Sequence, residues 1–217
     1  RDFLLLHAPI SKKWFLYSLL FVLVSMPLMS SLLELNMAID LSKWPDLKNW
    51  IDTQDSASNQ TYEAMVGNRG FFSFITSLVF MALIPAIAEE IFFRGFLMNI
   101  FNGIFKNMHV SILVTALLFS VIHFQLLKVI PMFFLATVFG YAVYWTGSLW
   151  ASIIAHFVNN AIAVIMLYFY AEGDYGKVLE QGESLPLTAT VLMAVIVVTI
   201  FVYIQKNSNT KTQNFYV

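Results

Sequence analysis

Glu89 and Glu90 stand side by side at the end of an apolar run from Phe71 to Ala88, and Arg94 follows four residues after Glu90. An ionised side chain in hydrocarbon costs roughly 2.5–3.5 kcal/mol on insertion scales, so it rarely occurs there without a task. On a continuous helix Glu90 and Arg94 share a face and can neutralise each other. Glu89 lies about 100° round the helix from Glu90. One carboxylate can then be paired while the other is left for chemistry.

Three more polar residues sit inside apolar stretches: His123, His156 and Asn160. His156 and Asn160 are four apart and so share a helix face. Taken alone, a membrane histidine is more simply an interhelical hydrogen-bond partner than a catalyst. Together with Glu89, Glu90 and Arg94, on three different helices, the set points to one buried polar site. Its chemistry suits hydrolysis. A carboxylate in a low-dielectric pocket is a useful general base for water, an imidazole can hold that water, and an Asn amide can donate to a developing oxyanion. The same residues allow a second reading, because Glu89, His123 and His156 form a two-histidine, one-carboxylate set of the kind that holds catalytic zinc. Glu90 would then have to act as the base, which sits poorly with its pairing to Arg94. The cofactor expectation is therefore none, or one divalent metal such as zinc.

Other chemistries lack their residues. There is no cysteine for a disulfide framework, a thiolate metal site or a nucleophile. There is no H-E-x-x-H and no G-x-S-x-G, and Gly147-Ser148 falls in a turn. Gly173-Asp174 lies in a polar loop, which argues against an intramembrane aspartyl pair. His7 and His109 sit at span edges and need only an interfacial position.

The elements that must position these residues are membrane helices. Of 217 residues 59% are hydrophobic and only 12% charged, and mean hydropathy is +0.74. A soluble domain carries about 25% charged residues. The net charge of −1 offers no basic surplus for nucleic acid. About 20 apolar residues cross a bilayer, and on that basis spans are expected at Trp14–Leu33, Phe71–Ala88, Val110–Leu127, Ile130–Trp145, Leu149–Tyr170 and Pro186–Ile204. Glu34 to Asn68 is polar and acidic, with Trp44 and Trp50 suggesting an interfacial segment. Ile91–Phe105, broken by Asn99, Asn102 and Gly103, is expected as one short interfacial or re-entrant helix. The fold class is an all-α polytopic membrane protein of about six spans in a single domain, 1–217. The chain starts at Arg1 rather than Met, so a preceding segment is expected. Lys12 and Lys13 before the first span and Lys206 and Lys211 after the last predict that both ends are cytoplasmic. The acidic stretches Glu34–Glu63 and Glu172–Glu183 then lie outside.

The pattern E-E-x-x-x-R, then F-x-x-x-H, then H-x-x-x-N resembles that of the CPBP family, the type II CAAX prenyl endopeptidases and bacteriocin-processing (Abi) enzymes. Here it reads Glu89-Glu90 with Arg94, Phe119 with His123, and His156 with Asn160, over a core of residues 71–170. The resemblance implies an intramembrane endopeptidase in which Glu89 and His123 activate water while His156 and Asn160 stabilise the oxyanion. Glu90 and Arg94 would support the site. The implied partners are a hydrophobic or lipidated peptide or protein substrate and the lipid bilayer, most simply a bacterial plasma membrane. Two other classes compete: a transporter or channel, since buried ionisable groups also mark ion paths, and a non-enzymatic immunity-type membrane protein. No internal repeat favours the transporter.

Helix arithmetic leaves one tension. At about 1.5 Å per residue Glu89 lies roughly 27 Å below Phe71, His123 roughly 20 Å above Val110, and His156 roughly 10 Å above Leu149. These depths do not coincide if every span starts at a bilayer surface. Ile91–Phe105 is the loose element, and it is expected not to cross the membrane and to shield the site on its cytoplasmic side.

Overall fold

The computed structural model describes residues 12–67, 70–169 and 187–207. His7, Lys211 and the acidic stretch Glu172–Glu183 lie outside the described residues. The protein is all-α. Helix α1 (Lys12–Met37) comes first, and its halves Phe15–Met26 and Leu28–Met37 meet at 43°, as an imino acid at Pro27 predicts. In the link that follows, Asp40 Oδ1 accepts the Ser42 N–H at 2.9 Å, which holds the Asp40 carboxyl below its usual range. Helix α2 (Pro45–Val66) is the polar, acidic segment, opened by Pro45 in its first turn.

Helix α3 runs unbroken from Phe71 to Phe105 over 35 residues, roughly 50 Å at about 1.5 Å per residue. Two π-helical stretches, Leu78–Leu83 and Ile91–Leu97, bracket the α-helical turns Ile84–Glu90 that carry both glutamates. Pro85 lies between them and has no N–H to give the ladder, a known cause of such irregularity. Wide turns of this kind recur at functional sites.

Lys106, in the left-handed conformation, ends α3, and Asn107 caps α4 (Met108–Ile122) by accepting the His109 and Val110 N–H groups. A single turn at Leu126–Lys128 leads into α5 (Val129–Thr146). Gly147 closes α5 in a left-handed turn at φ 66°, as Thr146-Gly147 predicts. Helices α6 (Leu149–Phe169) and α7 (Leu187–Asn207) complete the described chain.

Among the described residues four helices are long and apolar enough to cross a bilayer, and five if bent α1 is one span; α4, at 15 residues, is a shorter apolar helix. This is an integral membrane protein. Antiparallel α4, α5 and α6 pack in sequence, with α1 against α5 and α7. The core between them centres on Ile112, Val138, Phe139, Val143 and Leu149.

Two expectations need correction. Ile91–Phe105 is not a separate short helix: it continues α3 and packs along α4. Asn99 does not break it, because its Nδ2 donates to Gly95 O one turn back at 2.8 Å. The expected span Val110–Leu127 instead stops at Ile122. The chain turns at Phe124, a non-glycine residue at φ 54°, so His123 stands at a helix terminus.

Candidate active site

The buried heart of the site is an ion pair. Arg94 Nη1 donates to Glu90 Oε1 at 2.6 Å, with both side chains almost wholly excluded from solvent. Arg94 Nη2 donates to the Ala136 carbonyl at 2.9 Å. The guanidinium lies over the rings of Phe119 and Phe139, 4.9 and 5.5 Å from their centroids. Glu90 Oε1 also receives His156 Nδ1 at 2.9 Å. One carboxylate oxygen thus joins a guanidinium on α3 to an imidazole on α6.

The two catalytic-type histidines are oriented from behind. His123 Nδ1 lies 2.6 Å from the Phe119 carbonyl, which can only accept, so Nδ1 carries the proton. His156 Nδ1 faces the carboxylate paired to Arg94 and carries its proton for the same reason. The His156 ring stacks on Phe139, with centroids 5.1 Å apart and planes at 26°. Each imidazole therefore presents Nε2 forward. Glu89 Oε2 lies 3.8 Å from His123 Nε2 and 3.9 Å from His156 Nε2. Those separations exceed a direct hydrogen bond and leave room for a water bridging Glu89 to either imidazole.

Glu89, His123, His156 and Asn160 line one cavity of about 460 Å³. Asn160 Oδ1 accepts from Asn159 Nδ2 at 3.1 Å, which leaves the Asn160 amide N–H groups for other acceptors. Glu90 and Arg94 sit behind the wall rather than in it. All six expected residues are thus brought into one region, four on the cavity and two in support. The depth tension eases because α3, at roughly 50 Å, is longer than a hydrocarbon core of roughly 30 Å, and α4 delivers His123 from its terminus.

Several contributors carried no signal in the sequence. Phe139 and the Ala136 carbonyl hold the ion pair and ring, yet read as ordinary span residues. Asn36, at the end of α1, donates to Leu126 O at 2.7 Å and accepts from Ile130 N at 3.2 Å. It thereby pins the connector that follows His123.

The three facing donors also bear on zinc. A carboxylate oxygen and two imidazole nitrogens, each backed by a hydrogen bond on the far nitrogen, have the chemistry of a metal shell. Ligands about 2.0–2.1 Å from tetrahedral zinc lie roughly 3.3–3.4 Å apart, so each spacing would have to close by about half an ångström. Among the described residues no trio of His, Asp and Glu is drawn up tightly enough to hold an ion.

Residues 71–162 match the family described as type II CAAX prenyl endopeptidase Rce1-like. That stretch of the chain is similar to the Rce1-like family. The matched stretch opens with α3 and closes just past Asn160, so all six site residues fall within it. The Rce1-like family is a protease family. A curated relative, the "Uncharacterized protein YpbD" of Bacillus subtilis (strain 168), is 30% identical over 99 residues. That alignment takes in 44% of this chain and 48% of the relative, so the chain spans about half the length of the curated relative it matches. No solved structure matches the chain. Helices α1, α2 and α7 lie outside the Rce1-like match.

Proposed function

We propose that this chain is an intramembrane endopeptidase that hydrolyses a peptide bond by Glu89-assisted attack of water. The observation that supports it best is the convergence of Glu89 Oε2 with two forward-facing Nε2 atoms at 3.8 and 3.9 Å. We place the attacking water between these three groups; it has two protons to give, so in the proposed arrangement two of the groups accept and the third donates to the substrate. His156 is that third group, with Nε2 as its N–H turned to the substrate. Glu89 and His123 then accept the two water protons, and His156 Nε2–H is left as a donor.

In the reaction the water oxygen attacks the carbonyl carbon as its proton passes to Glu89. The oxyanion that forms is met by His156 Nε2–H and the Asn160 amide. The C–N bond then breaks, and the proton on Glu89 goes to the departing amine. His123 orients the water through this sequence. Glu90 and Arg94 hold His156 in place, and Arg94 offsets the charge of Glu90.

The substrate is a hydrophobic or lipidated peptide segment. The cavity walls include Met29, Met65, Met81 and Met132 with Leu135 and Leu167, and flexible thioether side chains accommodate varied apolar groups. The basic residues at Lys106 and Lys206 favour the cytoplasmic side for the α3–α4 corner and the end of α7. Helix α2 then lies outside.

Zinc is the second reading, favoured by the backing hydrogen bonds on both histidines. If bound, it would be held by Glu89, His123 and His156 and would supply Lewis-acid polarisation and an acidified water. We propose that the reaction runs without it. The test of hydrolysis is to incubate the purified protein in liposomes with hydrophobic peptides in ¹⁸O-enriched water. Products with one ¹⁸O in the new carboxyl group, formed by the parent and not by Glu89→Gln, are expected. Unlabelled products, or equal cleavage by the variant, would overturn the reading.

A further inference from the structure

Helix α2 is placed across the site but held there by little. Its half-buried face repeats with helical spacing through Ile51, Asp55, Ser58, Tyr62 and Val66, and only the two end residues of that face are buried and apolar. The contacts along the rest of this side are few and mostly polar. Asp55 pairs with Lys128 at 3.2 Å, with both side chains more than a quarter exposed. Gln125 Nε2 reaches Ser58 Oγ and Tyr62 Oη at 3.4 Å each. Trp50 meets Phe124 edge-on at 6.5 Å. Partly exposed ion pairs contribute little, and few buried apolar contacts mark an element that opens locally.

All four of these contacts land on residues 124–128, the connector that follows His123. The other end of α2 is anchored to the start of α3, where Ser77 Oγ donates to Met65 O at 3.1 Å. Between latch and anchor, Asn59, Tyr62 and Met65 form a wall of the cavity that holds Glu89. This wall lies outside the stretch shared with the Rce1-like family.

We propose that α2 is a hinged cover: it swings about its α3 end, is latched to the connector by Asp55, Ser58 and Tyr62, and admits substrate to Glu89 when the latch opens. The residues it turns inward make it a selecting wall particular to this chain. The proposal takes the cavity as the substrate site and so rests on the function above, but its test reads access alone.

The absence of cysteine gives a clean background. Single thiols are placed on the cavity wall as Met132→Cys and, separately, Asn159→Cys. Two controls are Lys48→Cys, on the exposed side of α2, and Val138→Cys, in the core. The rate of labelling by a small charged maleimide is compared between each of these and the same chain carrying Asp55→Asn, Ser58→Ala and Tyr62→Phe. Lys128→Gln, which cuts the same ion pair from the other side, is run as a second opening variant. Labelling at both cavity positions should rise at least fivefold in the triple variant and at least twofold with Lys128→Gln, with both controls unchanged. Unchanged cavity rates, or a rise at Val138→Cys equal to that in the cavity, would overturn the cover. Neither result touches the hydrolysis reading, which the labelled-water experiment decides on its own.

Discussion

Glu90 Oε1 lies 2.9 Å from His156 Nδ1 while the same oxygen holds Arg94 Nη1 at 2.6 Å. One oxygen of the fully buried carboxylate therefore serves two partners at once, and its removal strands a buried guanidinium. Breaking a buried pair by deleting one partner costs about 3–5 kcal/mol. Glu90→Gln and Arg94→Ala should each lower stability by that order in thermal unfolding, whereas Glu89→Gln, on a half-exposed side chain, should change it by less than about 1 kcal/mol. Glu90→Gln and His156→Gln should also be non-additive, since they touch one another. Equal unfolding temperatures for Arg94→Ala and the parent would contradict this.

Gly140 on α5 packs directly against Ile112 of α4. A Cβ built there would meet Ile112 Cγ2 at 2.7 Å, and Ile112 is buried and β-branched, so it has little freedom to turn away. Gly140→Ala should destabilise by about 1–3 kcal/mol. Ile112→Ala in the same chain should recover part of that loss, which urea titration of the single and double variants would measure. A double variant worse than the sum of the singles would rule the contact out.

How much of this was legible beforehand follows from the cost of polarity in hydrocarbon. Glu89, Glu90, Arg94, His123, His156 and Asn160 stand out because each is expensive where it lies, and six such residues on three helices imply a common site. The aromatic and carbonyl groups that hold them are cheap in the same place, so Phe139 and Ala136 carried no mark. The reach of α3 was hidden because Asn99, Asn102 and Gly103 look like breakers, while Asn99 is satisfied within its own helix. The end of α4 was hidden because the turn at Phe124 uses no glycine or proline. Helix α2 reads as a polar segment, and its polarity is plain in the sequence; that it lies over the cavity depends on contacts with residues 60 to 70 positions away.

Topology has a direct check. Cysteines at Asn102 and Lys106, at the end of α3, should react with an impermeant thiol reagent from one side only, the cytoplasmic one. A cysteine at Asp52 on α2 should react only from the other side. Labelling of Lys106→Cys and Asp52→Cys from the same face would mean that α3 does not cross the membrane.

Metal content separates the two readings of the site. Elemental analysis of the purified protein should find no stoichiometric zinc, and cleavage should survive chelation. One zinc per chain whose removal abolishes cleavage would instead assign Glu89, His123 and His156 as its ligands.

The central claim, that Glu89 drives peptide hydrolysis in the membrane, is tested most directly by comparing peptide termini. Membranes carrying the parent chain, Glu89→Gln or His123→Ala at equal abundance are labelled at free amines, and new N-termini are identified by mass spectrometry. A set of termini present with the parent and absent with both variants, arising next to hydrophobic segments, is the predicted result. Identical termini in all three would contradict it.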